Sequence, residues 1–451
     1  MAGRLAIIGG DAAGMSAASQ ARRRDPDLEV VAFERGPYTS YSACGIPYFL
    51  GGHFEDSERL IVRSPEQHSE RGIDVRVHQE VLAIDLAARE LTVRDHQART
   101  ESTEPFDQLV VATGAVAVGP RVPGADHLEP ARTVDAAERF DEQLDRGGEK
   151  AVVIGAGYIG IEMAEALKKR GFEVTMVDIA DHVMGIAFDA DMAKHVQDGA
   201  EEEGIDVRLN CAVEGIDLDD DGRPVAVRTA GGVLEADHVV LATGVKPATQ
   251  IAQEAGLEVG EFGGLLTDDH QRCTGHDGVF AAGDCVESWH RLLERPVNVQ
   301  LGTHANKQGR IAGINATGGD AAFPGVLGTA VSRICSREVA RTGLTEDEVA
   351  RFTDLDVIAV VQKSLTRAGY YPGAGPIWVK LVAERSTGRL LGGQIVGVEG
   401  AAKRVDVLAT AIWAGMTVQE LELLDLGYAP PVAPVYDPLL VAASAAVREL
   451  S

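Results

Sequence analysis

The chain has 451 residues, 45% of them hydrophobic and 25% charged, enough apolar material for two or three packed units. Its 42 basic and 69 acidic side chains leave a formal charge of −27, which argues against a nucleic-acid-binding surface or a polybasic membrane anchor.

Leu5 opens a short apolar run that reads as a buried parallel strand and feeds the turn Gly9-Gly-Asp-Ala-Ala-Gly14. A helix follows, ending in Arg22-Arg-Arg24 before Pro26, and a second strand, Leu28 to Phe33, ends at Glu34, twenty residues past Gly14. A dinucleotide needs this arrangement. Glycines let the backbone approach the pyrophosphate, a helix N-terminus supplies amide donors, and the acid holds ribose hydroxyls. Asp11 stands where the usual pattern has its middle glycine. Next comes Ser40-Tyr-Ser42-Ala-Cys44-Gly-Ile-Pro47-Tyr48. If a helix opens near Ser42, Cys44 lies in its first turn and the dipole favours its thiolate. The residues alone leave a second reading open, an inert packed cysteine.

A second opening is complete: strand Ala151 to Ile154, then Gly155-Ala-Gly157-Tyr-Ile-Gly160, a helix, and a strand Glu173 to Val177 ending at Asp178. An acid there favours the free 2′-hydroxyl of NADH over the 2′-phosphate of NADPH. Two further strands end in the same tripeptide, Ala112-Thr113-Gly114 and Ala242-Thr243-Gly244, and a third delivers Gly283-Asp284 toward an expected helix start. The expected division is a discontinuous first unit, 1–118 and 248–325, with a second inserted at 119–247. The remaining unit, 326–451, alternates strand-like runs (Ile377 to Val382, Leu390 to Val398) with helical ones (Ala402 to Gly415, Thr417 to Leu424) and reads as an α+β interface domain. The fold class is α/β.

The other cysteines, Cys211, Cys273, Cys285 and Cys335, have no partner at useful spacing, so neither a disulfide framework nor a zinc knuckle is expected, and a reducing, cytoplasmic setting follows. No His/Asp/Glu cluster shows metal-ligand spacing, and no apolar run reaches the ~18 residues of a membrane helix.

The Cys44 block, the paired glycine motifs and Gly283-Asp284 together resemble the pyridine-nucleotide-disulfide oxidoreductases. They are most similar to the single-cysteine branch: coenzyme A-disulfide reductases, NADH-dependent persulfide reductases and NADH oxidases. The resemblance runs the full length and includes Gly369-Tyr370-Tyr371-Pro372-Gly373 and Tyr428-Ala-Pro430-Pro431. It implies a homodimer that binds FAD at Gly9, Ala12, Ala13, Gly14, Glu34, Arg35, Val81, Ala112, Thr113, Gly114, Gly283, Asp284 and Ala305. It implies NADH at Gly155, Gly157, Tyr158, Ile159, Gly160, Glu162, Asp178 and Gly244.

Two-cysteine relatives carry a second Cys five residues away. Thr39 and Phe49 stand at those positions here, and the last histidine is His304, so neither an internal active-site disulfide nor a C-terminal His–Glu pair is available. The implied cycle reduces a low-molecular-weight disulfide or persulfide through Cys44 alone, with Tyr370 and Tyr428 reaching it from the partner subunit as proton donors. Gln20, Arg23 and Ser40 match substrate contacts and Ser16 occupies another, with Arg71 adjacent to the one at position 72 and Tyr436 standing at one in the C-terminal segment. Ala43, Gly72 and Tyr436 depart from the residues expected there. The alternatives are an oxidase or peroxidase cycling through a Cys44 sulfenic acid, and an electron carrier or redox sensor. Peroxidase and oxidase relatives place a His where Ala12 stands, which favours the reductase.

Overall fold

The structure, a computed structural model, describes residues 3–451. Strands β1 (Arg4–Ile8) and β2 (Glu29–Phe33) pair in parallel with Ile8 opposite Phe33. Both are buried almost throughout, hence their continuous rather than alternating apolar character. Helix α1 (Ala12–Arg24) crosses between them. The loop after β2 carries a 3₁₀ turn, Ala43–Gly45, followed by two short helices, α2 (Ile46–Leu50) and α3 (Pro65–Ser69), then β3 (Asp74–Arg76). An antiparallel meander, β4 (Gln79–Asp85), β5 (Glu90–Asp95) and β6 (Thr100–Pro105), returns the chain to β7 (Gln108–Val111), which lies parallel to β1.

The chain then leaves through β8 (Ala115–Ala117). It builds α4 (Val134–Asp145), β9 (Lys150–Ile154), α5 (Tyr158–Lys169), β10 (Glu173–Val177), α6 (Ala190–Glu202) and β11 (Asp206–Arg208). A meander of β12 (Val213–Leu218), β13 (Pro224–Thr229) and β14 (Gly232–Glu235) precedes β15 (His238–Leu241). The parallel order is β11-β10-β9-β15. Strand β16 (Val245–Pro247) then pairs antiparallel with β8, so exit and return run side by side.

After α7 (Gln250–Glu254) and β17 (Leu265–Leu266), β18 (Val279–Ala281) completes the first sheet in the order β18-β7-β1-β2-β3. The expected helix start after Gly283-Asp284 is not there. Gly283 sits at φ +89° and closes a turn into β19 (Val286–His290), which pairs with β20 (Arg295–Val297). The helix facing Gly283 is α8 (Gly302–Ala316), later in the chain; its Gln308 Oε1 accepts from Gly283 N at 2.9 Å. Helix α8 lies hard against α1, where a Cβ on Gly309 would stand 2.1 Å from the Ala13 carbonyl oxygen.

The last unit is an antiparallel sheet of β21 (Ala330–Ile334), β22 (Arg337–Gly343), β23 (Val357–Leu365), β24 (Pro376–Glu384) and β25 (Leu390–Gly397) in the order β21-β22-β25-β24-β23. Helix α9 (Glu346–Phe352) links β22 to β23, and α10 (Val405–Trp413), α11 (Val418–Glu422) and α12 (Pro438–Leu450) follow β25 and pack against the sheet. The expected strands at 377–382 and 390–398 fall on β24 and β25, the latter ending at Gly397, while the expected helix at 402–415 is a 3₁₀ turn, Ala402–Arg404, running into α10, and that at 417–424 is the shorter α11. This sheet docks on the second unit. Lys380, almost fully buried, bonds Asp191 at 2.8 Å and Glu346 at 2.6 Å, and lies 3.1 Å from Asp189 at the start of α6. Cys335 N donates to Glu165 of α5 at 2.7 Å. No helix among the described residues is long and apolar enough to cross a membrane.

Candidate active site

The first opening is built by steric exclusion. Gly9 has φ +109°, and a Cβ there would lie 2.2 Å from the Ala112 oxygen; one on Gly14 would lie 1.9 Å from the Gly9 oxygen. Only glycine lets α1 start this close to β1 and β7. No side chain caps α1, so the amides of its first turn, including Ala12 and Ala13, are free to meet an anion. Glu34 accepts from Gly10 N at 2.9 Å and from Gly36 N at 2.8 Å, which fixes it at the mouth of the turn with lone pairs to spare. Arg35 is exposed beside it, and Val81 of β4 is buried. On the β7 side, Thr113 Oγ1 donates to Ala248 O at 2.6 Å and Gly114 turns at φ +67°. A Cβ on Gly283 would come 2.9 Å from Ala13 Cβ and 3.6 Å from Ala305 Cβ, so both helix starts converge on that glycine.

The second opening repeats the plan. Cβ atoms on Gly155 and Gly160 would meet the Ala242 and Gly155 oxygens at 2.3 and 1.9 Å. Asp178 accepts from Ala156 N at 2.6 Å and Ala180 N at 2.8 Å. Helix α5 is uncapped, with Gly157 open in front of it and Ile159 half exposed. Gly244 turns at φ +98°. The Tyr158 hydroxyl is buried without a partner, and burial holds its pKa above the usual range. Each opening offers glycine clearance, free helix amides and an anchored acid. Both therefore fit a dinucleotide.

Cys44 lies in the 3₁₀ turn just ahead of α2 and is exposed. The expectation that a helix dipole favours its thiolate is not met. Although the residue is exposed, partial desolvation of the sulfur in its turn, together with Glu162 from the second opening and Asp284 and Asp11 from the first, pushes the thiol above its ordinary value. The five-residue α2 is too short to offset those acids. The same acids place Cys44 between the two openings. Glu162 is raised by burial and accepts from Ser332 Oγ. Burial likewise raises Asp284, with Arg132 3.7 Å away opposing it. Burial, helped by Glu34 and Asp284, lifts Asp11 to about 6 although Tyr41 N donates to it at 3.2 Å. Arg132 escaped the sequence reading because its loop carries no motif; only packing brings it to Asp284.

The substrate-contact candidates fall along α1. Ser16 donates to Asn306 at 2.8 Å, and Arg23 reaches Gln20 at 3.4 Å. Ser40 is tied to the start of α1 by its N–H to Gly10 O at 2.9 Å, and its Oγ lies 2.9 Å from His68 Nε2. Arg71 is exposed at the end of α3. A Cβ on Gly72 would fall 2.5 Å from Arg22 Nε, so a guanidinium already fills the space beside position 72.

Tyr370, Tyr428 and Tyr436 are 77%, 48% and 73% exposed. Tyr428 stands beside Tyr370 and raises its phenol above the ordinary value. No hydrogen bond or ion pair among the described residues links any of the three to Cys44. Asp268, Asp269 and His270 bring three ligand atoms within 4.8 Å, a grouping that sequence spacing did not suggest. Both His270 nitrogens are engaged, by Asp269 at 2.6 Å and Asp320 at 2.8 Å.

Two parallel-sheet units with paired openings, and an exposed thiol between them, define a flavin- and nicotinamide-type oxidoreductase. Comparison with known proteins gives the family. Residues 3–309 match the pyridine nucleotide-disulphide oxidoreductase family and residues 329–438 its dimerisation domain. The chain belongs to that family. It is 39% identical over 447 residues to the NAD(P)H coenzyme A polysulfide/persulfide reductase of Pyrococcus horikoshii, covering 98% of this chain and 97% of the relative. It is 35% identical over 452 residues to a Methanocaldococcus jannaschii NADH oxidase, covering 99% of each. The solved NAD-dependent persulfide reductase from A. fulgidus superposes with a TM-score of 0.95 at 38% identity, over 99% of this chain and 83% of that one.

Proposed function

We propose that this protein is a homodimeric, FAD-dependent enzyme that uses NADH to reduce a low-molecular-weight disulfide or persulfide of the coenzyme A type through Cys44. The observation that carries this reading is the position of Cys44, an exposed thiol flanked by acids from both dinucleotide openings. The unit formed by 1–118 and 248–325 holds FAD at the Gly9–Gly14 turn, Glu34 and Gly283. The unit at 119–247 holds NADH at Gly155–Gly160 and Asp178, whose carboxylate repels a 2′-phosphate. Residues 326–451 form the dimer contact.

FAD, held by the Gly9–Gly14 turn, Glu34 and Gly283, would supply two-electron transfer from NADH to sulfur, the step that splits the Cys44 mixed disulfide into the second thiolate and the free Cys44 thiolate. Cys44, deprotonated, attacks one sulfur of the substrate, forms a mixed disulfide and expels the first thiolate. Burial, Glu162 and Asp284 oppose that deprotonation. Ser16, Gln20, Arg23 and Ser40 hold the substrate along α1. Tyr370 and Tyr428 cross from the partner subunit and donate the proton that the leaving thiolate needs. Their exposure in a single chain suits that role.

Cys44→Ser should keep the yellow flavin and its reduction by NADH while disulfide turnover falls by roughly a thousandfold or more. Retained turnover removes Cys44 from the mechanism. The acceptor is identified by assaying coenzyme A disulfide, coenzyme A persulfide, polysulfide, glutathione disulfide and oxygen under NADH. A second reading, NADH oxidation by oxygen with Cys44 cycling through a sulfenic acid, is favoured by the Methanocaldococcus relative and by the open thiol. Oxygen as the fastest acceptor selects it.

A further inference from the structure

His68 is fully buried, yet its Nδ1 has no hydrogen-bond partner. Its other nitrogen, Nε2, lies 2.9 Å from Ser40 Oγ, and Ser40 has no other side-chain partner among the described residues. A capping box holds α3 in register for this contact: Ser64 accepts from Gln67 N, and the Gln67 side chain accepts from Ser64 N at 3.0 Å. Ser40 itself is at φ +51°, a conformation that glycine adopts more cheaply. The backbone pins it there, through its N–H to Gly10 O and its carbonyl to Val62 N at 2.8 Å.

The tautomer follows from the orphaned nitrogen. Burial, with Arg63 and Arg71 adding like charge, keeps His68 neutral, near pKa 4. A buried lone pair without a partner is tolerated better than a buried N–H without one. The proton therefore sits on Nε2 and is given to Ser40 Oγ. The Ser40 hydroxyl, its lone pair engaged, has its own proton free, and Ser40 is only half buried. Arg63 and Arg71 stand near enough to add like charge at His68, and neither takes part in an ion pair among the described residues. Two unpaired guanidiniums beside an outward hydroxyl donor suit a phosphate.

We propose that His68 is a positioning residue, which turns the Ser40 hydroxyl into a dedicated donor to a phosphate on the nucleotide end of the substrate, with Arg63 and Arg71 as flanking cations. The assignment rests on the coenzyme A-type reading above and extends it. It gives the chain a route to phosphate recognition that does not need a cation at position 72.

The test is titration calorimetry of adenosine 3′,5′-bisphosphate on the holoenzyme, which reads the phosphate site without turnover. His68→Phe should weaken binding roughly tenfold, and His68→Gln, whose amide can still donate to Ser40, should retain most of it. In steady state, His68→Phe should raise KM for coenzyme A disulfide by a similar factor with little change in kcat. KM for pantethine, which lacks the nucleotide, should move less than twofold. If His68→Phe does not fold, Ser40→Ala carries the same expectation, and adding His68→Gln to it should cost nothing further. Equal bisphosphate binding in wild type and variants, or no binding by wild type, overturns the proposal. A wild type that binds the bisphosphate, loses it on substitution, and yet reduces no disulfide overturns the functional reading and leaves the phosphate site standing.

Discussion

The two dinucleotide openings follow one plan, with the turn Gly-Gly-Asp-Ala-Ala-Gly in the first and Gly-Ala-Gly-Tyr-Ile-Gly in the second. Gly9 matches Gly155, Gly14 matches Gly160, and Glu34 and Asp178 each accept two backbone amides from their own turns. At the third position the first opening has Asp11, pushed up to about 6 by burial among other carboxylates, whereas the second has Gly157 with nothing within 4 Å of a built Cβ. The shared positions are dictated by backbone clearance. The third position is where chemistry is free to enter, and in the first opening it puts a titratable acid beside Cys44.

The largest way to break the symmetry is to remove clearance on one side only. Gly14→Ala and Gly160→Ala each force a methyl to within 1.9 Å of a carbonyl oxygen, at a cost of about 3 kcal/mol or more. Gly14→Ala should purify without flavin colour. Gly160→Ala should stay yellow but no longer bleach with NADH in stopped-flow absorbance. Exchange of these two phenotypes would reverse the cofactor assignment. Next in size, Asp178→Ala should lower the ratio of kcat/KM for NADH over NADPH by roughly tenfold or more, since the acid that meets the 2′-position is gone. An unchanged ratio places the discrimination elsewhere.

Asp11→Asn sharpens the third position. The folded-state pKa of about 6 lies above the ordinary 3.8, so folding favours the protonated acid. Its favourable contribution is complete below about pH 4 and is lost as pH rises through 6. The amide should therefore stabilise the flavin-free protein by about 1–3 kcal/mol at pH 7.5. That gain should vanish near pH 4, read as the difference in Tm between variant and wild type across pH. A pH-independent difference rules out titration as the cause. Smallest is Gly157→Ala. With φ −80 and open space ahead, its stability should stay within about 0.5 kcal/mol. KM for NADH should still rise a few-fold, because the methyl stands where the pyrophosphate approaches.

Glycine spacing and terminal acids were legible because they are local: Gly9 to Glu34 and Gly155 to Asp178 each fit within one strand–helix–strand passage. The antiparallel sheet was read only in part. Val357–Leu365 alternates in burial, but its sequence Val-Ile-Ala-Val-Val carries apolar residues at both faces and so shows no period of two. The expected helix after Gly283-Asp284 failed because the facing helix, α8, arrives through tertiary packing rather than through the next residues. The charge state of Cys44 was misread for the same reason. Its turn was visible, but Glu162 and Asp284 come from distant segments. Ser40 was legible by motif, whereas its partner His68 was not. Nothing in Ser64-Pro-Glu-Gln-His68 announces that the ring turns inward.

Strands β8 and β16 run antiparallel, with Ala117 opposite Val245 and Ala115 opposite Pro247. A chain that departs and returns through one ribbon makes everything between it a topological cassette. Its two ends are already neighbours, so a tight turn joining Ala117 to Val245 would bridge the gap without stretching the sheet built on β1, β7 and β18. Excision of the enclosed segment thus needs only two adjacent cuts, and it uncovers the side chains of α2, β21 and β22 that pack on it.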